Sequence, residues 1–263
     1  MSGGLETDLG TEFGGGEYDL HRLGLGAAGV VAFVLVWEIA SWFNPAYVLP
    51  SPRAVADVFV VELRSGAMLT ALMASVTHWL PGTVVGTTLG IALGVTMAYS
   101  DLADDLATPI VRVLRPVPPL ALIGFAIAWI GLNHAGAAFI IAAGAFWINY
   151  YAAYGGVDGV SAEFLDVARS LGVDTDLGLI RKVVLPSALP EILTGIRTGI
   201  GRCWMLIIAA ELMGVPGLGR ELYTASQNLS VDAVLAYILV MSLVYLVLDT
   251  AVGLVQNRVL AWQ

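Results

Sequence analysis

Cysteine and lysine are almost missing from this chain: Cys203 is the one thiol and Lys182 the one lysine among 263 residues. A single cysteine excludes a disulfide framework and every paired-cysteine metal site. Histidine is scarce as well, and His21, His78 and His134 stand far apart in sequence, which speaks against a metal centre or a membrane-embedded hydrolase. No glycine-rich Walker loop occurs, so the chain does not bind and hydrolyse ATP by that route. Gly-x-Ser-x-Gly and His-Glu-x-x-His are absent too. No basic patch offers a footprint for nucleic acid. Neither catalysis nor a cofactor or metal is expected.

What the chain has is grease. Hydrophobic residues make up 58% and charged residues 13%, and mean hydropathy is +0.82. Those values belong to an integral membrane protein, not to a soluble domain. The net charge of −9, with arginine supplying nearly all the basic groups, is an acidic, lysine-poor balance. Such a surface stays soluble when salt screens its self-repulsion, so a halophilic character is expected.

Residues 1–23 are glycine-rich and acidic (Glu6, Asp8, Glu12, Glu17, Asp19) and read as a disordered cytoplasmic tail. The tail lacks the basic start of a signal peptide, so the first hydrophobic segment is expected to be retained. That segment, Gly24 to Phe43, is interrupted only by Glu38 and matches the roughly 20 residues needed to cross a bilayer. Trp37 and Trp42 sit near its end as interfacial anchors do. After the turn Leu49-Pro50-Ser51-Pro52, the stretch Ala54 to Leu63 reads as an amphipathic surface helix. A second span lies within Leu69 to Ser100, with its outer part interfacial or kinked near Pro81. Within it Gly82, Gly86, Gly90 and Gly94 recur every four residues, a ladder for close helix packing inside the subunit or across a dimer.

Asp101 to Arg115 is polar, and a third span is expected from about Leu120 to Leu132. Asn133-His134 turns the chain, and Ala135 to Tyr154 returns. A fifth span runs from about Leu189 to Met213, Val215 to Gly219 forms an external turn, and Ala233 to Gln256 is the sixth span. With both termini cytoplasmic, nine basic residues fall inside and three (Arg53, Arg64, Arg220) outside, as the positive-inside rule requires.

The longest charged interval is Ser161 to Pro190. Ser161 can cap a short helix, Phe164, Ala168 and Leu171 share one face, Asp166, Arg169 and Ser170 the other, and Gly172 stands where a helix stops. This is a self-capped amphipathic helix between two apolar spans, an element that a cytosolic partner could grip.

That interval resembles the EAA loop of binding-protein-dependent ABC transporter permeases at Asp166, Val167, Ala168, Gly172, Leu185 and Pro186. Asp stands for the usual Glu and Val for the first Ala. Over roughly residues 24–262 the chain is most similar to permeases of the nitrate, sulfonate and taurine importer group. The segments that carry this are Leu49-Pro50-Ser51-Pro52, Gly90 to Gly94, Arg115-Pro116-Val117-Pro118-Pro119, Ala168 to Gly172, Leu185 to Pro190 and Gly217-Leu218-Gly219. His78 replaces a common Arg, and Phe146-Trp147-Ile148-Asn149 replaces a more usual Phe-Phe-Pro run. The resemblance implies an all-α type I importer permease with six transmembrane helices over residues 24–263, and a cytoplasmic coupling loop over 155–188. It implies a plasma-membrane homodimer, two ATPase subunits docked from the cytosol, and an extracellular substrate-binding protein. ATPase coupling would fall to Glu163, Asp166, Val167, Ala168, Arg169, Leu171, Gly172, Leu185 and Pro186. A vitamin precursor such as a thiamine pyrimidine is an alternative cargo for the same class. The alternative mechanism is a secondary transporter driven through Glu38, Glu211 or Asp249, which would show inverted repeats and broken helices.

Intramembrane ionisable groups need partners or water. Glu211 is read either as a pathway residue or as a structural hydrogen-bonding group, Glu38 and Asp249 as structural, and Arg197 as snorkelling or capping the loop. Trp129, Asn133, Trp147 and Asn149 could form an aromatic and polar pathway lining, or the tryptophans could be interface anchors. Cys203 reads as packing. The acidic balance yields one expectation for solution work. Thermal melting of the purified protein, followed at low and at molar KCl, should shift upward with salt; a clear downward shift would refute the halophilic reading.

Overall fold

The computed structural model describes residues 20–261. The expected acidic tail lies outside the described residues up to position 19, and the first helix begins at Leu20, ahead of the expected Gly24. Eleven α-helices follow one another: α1 (Leu20–Trp42), α2 (Pro52–Ser65), α3 (Ala67–Tyr99), α4 (Asp101–Leu114), α5 (Ile123–Trp129), α6 (His134–Asp158), α7 (Ala162–Ser170), α8 (Asp176–Leu179), α9 (Leu185–Glu211), α10 (Leu218–Gln227) and α11 (Val231–Val259). No strand occurs among the described residues. Among the described residues five helical stretches are long and apolar enough to cross a membrane, and the pair Asp101–Leu114 and Pro119–Trp129, bent by 85°, passes the same test together, as a broken span or a re-entrant loop.

That bent pair corrects the expected third span. Pro116, Pro118 and Pro119 cannot donate to a helical ladder, and proline disfavours helix in the residue before it. The chain therefore breaks after Leu114, turns through a 3₁₀ segment at Pro119–Leu122, and leaves α5 only seven residues long. At Pro81 the opposite happens. The expected kink or interfacial break is absent, and α3 continues as one helix of 33 residues, about 50 Å at 1.5 Å per residue.

α3 and α6 run parallel along the glycine ladder. A Cβ on Gly82 would lie 2.5 Å from the Ala138 carbonyl oxygen, and one on Gly94 would lie 2.5 Å from that of Tyr150. Gly86 and Gly90 press still closer on the carbonyls of Ala142 and Phe146. Each partner lies the same interval along the chain, so the two backbones stay in register over four turns. The ladder faces another helix of its own protomer. α9 crosses α6 antiparallel, with Gly195 against Ala152 and Gly199 against Asn149. α11 closes on α9 through Trp204, whose Nε1 donates to the Met241 carbonyl at 2.9 Å. α2 leans on α11, where the Tyr237 hydroxyl donates to Glu62 at 3.1 Å. α1 carries no buried side chain from Gly24 to Trp42 and touches the rest through Trp37 Nε1, which donates to the Pro50 carbonyl at 3.0 Å.

Arg197 neither snorkels nor caps the loop. Its Nε and Nη2 donate to the two carboxylate oxygens of Asp249 at 2.9 and 2.8 Å, joining α9 to α11 by a bidentate pair. This also answers what Asp249 pairs with inside an apolar span. Glu38 accepts from Trp42 Nε1 at 3.1 Å, one turn along its own helix.

Two stability outcomes follow. Gly86→Leu must push α3 off the α6 backbone, so thermal melting in detergent should fall by more than for Gly155→Leu, where a Cβ meets nothing. Equal losses would mean that the seam is loose. Asp249→Ala leaves a charged guanidinium without its partner and should cost more than the double change Arg197→Leu with Asp249→Leu, because removing both charges avoids the orphan. A double variant no more stable than the single one would contradict this.

Candidate functional site

Two assemblies stand out at opposite ends of the α3–α6 seam, with a cleft between them. At one end is α7. Ser161 Oγ accepts from the Glu163 amide at 3.3 Å, and Glu163 places a carboxylate at the positive end of the helix. The other end closes with a Schellman turn: Val173 N–H donates to the Ala168 carbonyl at 3.1 Å and Gly172 N–H to that of Arg169 at 3.0 Å. Gly172 takes φ +86°, which a side chain resists, so glycine is what ends the helix there. Asp166 and Arg169 form an exposed pair at 3.2 Å.

The face of α7 differs from the sequence reading. Leu165 turns inward against Val157, Val184 and neighbours, and Ala168 is buried. Phe164, Val167 and Leu171, spaced at helical intervals, point away with 58, 57 and 80% of their surface exposed. The grouping of Phe164 and Leu171 with Ala168 is thus corrected: Ala168 anchors the helix, and the larger apolar side chains stand free. Leu185 and Pro186 do not close the loop outside the span, because α9 starts with them. Ahead of them Ile180–Val184 winds as a π turn. Pro186 has no N–H to return to Lys182, so the ladder is already open at that point.

At the far end, α9 finishes on Glu211, whose carboxylate is fully buried. Oε1 accepts from Ser75 Oγ at 2.5 Å and from His78 Nε2 at 2.8 Å, while Oε2 accepts from the Gly219 amide. Ser75 Oγ in turn accepts from the Leu218 amide at 2.9 Å. The Nδ1 atoms of His78 and His134 lie 3.0 Å apart with the rings stacked, so one proton serves the two facing nitrogens. Thr77 Oγ1 lies 3.2 Å from His134 Nδ1. Two of the histidines taken from the sequence as scattered are therefore neighbours, because α3 and α6 run side by side. Gly217 and Gly219 pass so close to Glu211 that a Cβ on either would collide with the carboxylate. The network ties α3, the start of α6, the end of α9 and the α10 turn to one anion. Ser75, Thr77, His78 and His134 were missed in the sequence. The signal was there: Ser75 and His78 extend the buried face of the glycine ladder by two turns.

The expected pathway residues separate. Asn149 is buried, donating to the Ala145 carbonyl at 2.8 Å and to Thr87 Oγ1 at 3.1 Å, while its Oδ1 finds no partner. Asn133 caps α6 by accepting from the Gly136 amide at 3.0 Å. Trp129 is 78% exposed and stacks on Phe125 at 4.9 Å. Trp147 lines a cleft of about 270 Å³ between the Pro116–Pro119 turn, α6 and α9, with Arg115 and Arg202 at its rim. Arg202 lies nine residues before Glu211, about 14 Å along the helix at 1.5 Å per residue. Among the described residues no group of three metal-ligating side chains occurs.

Comparison with known proteins agrees with this architecture. A putative ABC transporter permease of Methanocaldococcus jannaschii is 31% identical over 237 residues, covering 88% of this chain and 88% of its own. A putative aliphatic sulfonates transport permease of Bacillus subtilis is 32% identical over 233 residues, covering 88% and 84%. Among solved structures, a methionine ABC transporter in an inward-facing conformation shares the fold, with TM-score 0.65 and 16% identity over 73% of this chain and 95% of that one. Residues 86–261 match the family described as the inner membrane component of binding-protein-dependent transport systems. With relatives covering nearly its whole length and an all-helical multi-pass fold to match, this chain belongs to that family of ABC importer permeases.

Proposed function

We propose that this chain is the translocating subunit of an ATP-driven importer for a small oxyanion of the nitrate, sulfonate or taurine kind. The solute is handed over by an external binding protein, and hydrolysis takes place in separate ATPase subunits that press on α7. The observation that carries the reading is the free stripe Phe164, Val167 and Leu171 on a helix otherwise satisfied by its own caps. An apolar stripe on a short polar element in water is unfavourable unless something covers it. Asp166 and Arg169 beside the stripe offer charge-assisted contacts to the same partner.

The excess of arginine at the α7 end supports a cytosolic placement of that end and of both termini. Two copies of the chain enclose the route, since one bundle of this size has no room for a polar channel. Two ATPases then act on two α7 helices. Because Leu165 seats α7 on residues at the foot of α6 and the start of α9, a push on α7 is passed to those helices. Sulfonate chemistry is supported by the name of the Bacillus subtilis relative.

The test replaces Val167 and Leu171 together by Asp. Both are exposed, so the melting temperature of the permease alone should stay within about 2 °C, the scale of a surface substitution. Recovery of the ATPase with the tagged permease should drop at least tenfold. Undiminished recovery, with ATP-driven uptake intact, would overturn the assignment of α7.

A further inference from the structure

The cleft midway along α6 carries two cations that no carboxylate among the described residues neutralises. Arg115 follows α4, and its guanidinium lies 4.5 Å over the Tyr151 ring. Arg202 projects from α9 on the opposite wall. Both are exposed, and among the described residues neither has a carboxylate within salt-bridge distance, whereas Arg197 is held by Asp249. A protein that pairs one deep arginine bidentately and leaves another free is treating the two differently. An unpaired ionisable group within a membrane-spanning bundle is a marker of a polar route or of a ligand.

The remaining walls are chemically distinct. Pro119, Ile148 and Leu206 supply apolar surface, and Trp147 a flat aromatic one. About 270 Å³ lies just under the range of pockets built for drug-sized ligands, so the space fits a few heavy atoms. Two guanidinium forks above a short apolar floor suit an oxyanion head carrying a short hydrocarbon tail, because planar forks grip such heads by paired N–H donors.

We infer that the Arg115–Arg202 cleft is an oxyanion-binding site, a station that holds the anionic head of the cargo between the outer Glu211 cluster and the α7 end. Stacked over Tyr151, Arg115 is pre-oriented, and Arg202 supplies the second fork. The inference rests on the importer reading above. The same head-group chemistry is offered by anionic phospholipid, and the experiment separates the two sources.

The permease assembled with its ATPase is placed in nanodiscs of neutral phosphatidylcholine and titrated with ethanesulfonate by calorimetry. The wild type should bind it, ethanol should not bind, and Arg202→Gln and Arg115→Gln should each weaken affinity at least tenfold. Arg202→Lys, which keeps charge but loses the fork, should weaken it several-fold and serves where the glutamine variant does not assemble. A second set of discs contains phosphatidylglycerol. Sulfonate binding that persists there assigns the site to the cargo. Binding abolished there, and restored when the lipid is withdrawn, assigns it to a lipid head group; both outcomes support an oxyanion site. Equal titrations for wild type, Arg202→Gln and Arg202→Lys in neutral discs would overturn it. That result would leave the ATP-coupled reading standing, since association with the ATPase through α7 is measured separately.

Discussion

The contact on which the molecule depends is backbone against backbone. Four glycines of α3 lie against carbonyl groups of α6 at a spacing no side chain tolerates, and they do so in parallel register for four turns. Inside a bilayer there is little hydrophobic gain in bringing two apolar helices together, so association must come from packing and from weak backbone contacts. A glycine seam supplies both, and it makes the pair a stiff rod. Gly195 and Gly199 of α9 dock on the other side of α6 by the same device.

The two chemically unusual regions hang from the ends of this rod. At one end the Glu211 carboxylate gathers donors from Ser75, His78 and the Gly219 amide, so α3 and the end of α9 are pinned to one anion. At the other end α7 seats Leu165 on the bundle and leaves Phe164, Val167 and Leu171 free. The cleft between the Pro116–Pro119 turn, α6 and α9 lies between these two regions.

Much of this was legible in the residues. The ladder Gly82–Gly94 is visible as a period of four, α7 announces itself by Ser161 and Gly172, and long apolar runs delimit most crossings. What could not be read depended on distance in sequence. His78 and His134 are 56 positions apart in number and stack only because α3 and α6 are parallel; no local pattern encodes that. Arg197 and Asp249 each looked like a lone charge, yet together they form one bidentate pair. The third crossing was misread because hydropathy responds to Leu120–Leu132 as a continuous run, whereas the prolines before it determine where a helix can start. The direction of Phe164 and Leu171 was misread for another reason: an amphipathic pattern says that two faces differ, but not which of them a partner covers.

The central claim is that movement of solute is powered through α7 by a nucleotide-hydrolysing companion and not by an ion gradient acting on Glu38, Glu211 or Asp249. The direct measurement is uptake of a radiolabelled small oxyanion into proteoliposomes that contain the permease, its ATPase and the binding protein, with ATP on the ATPase side or with an imposed proton or sodium gradient alone. The account predicts uptake with ATP and none with either gradient. Uptake by the permease alone, driven by a gradient in the absence of the ATPase, would contradict it.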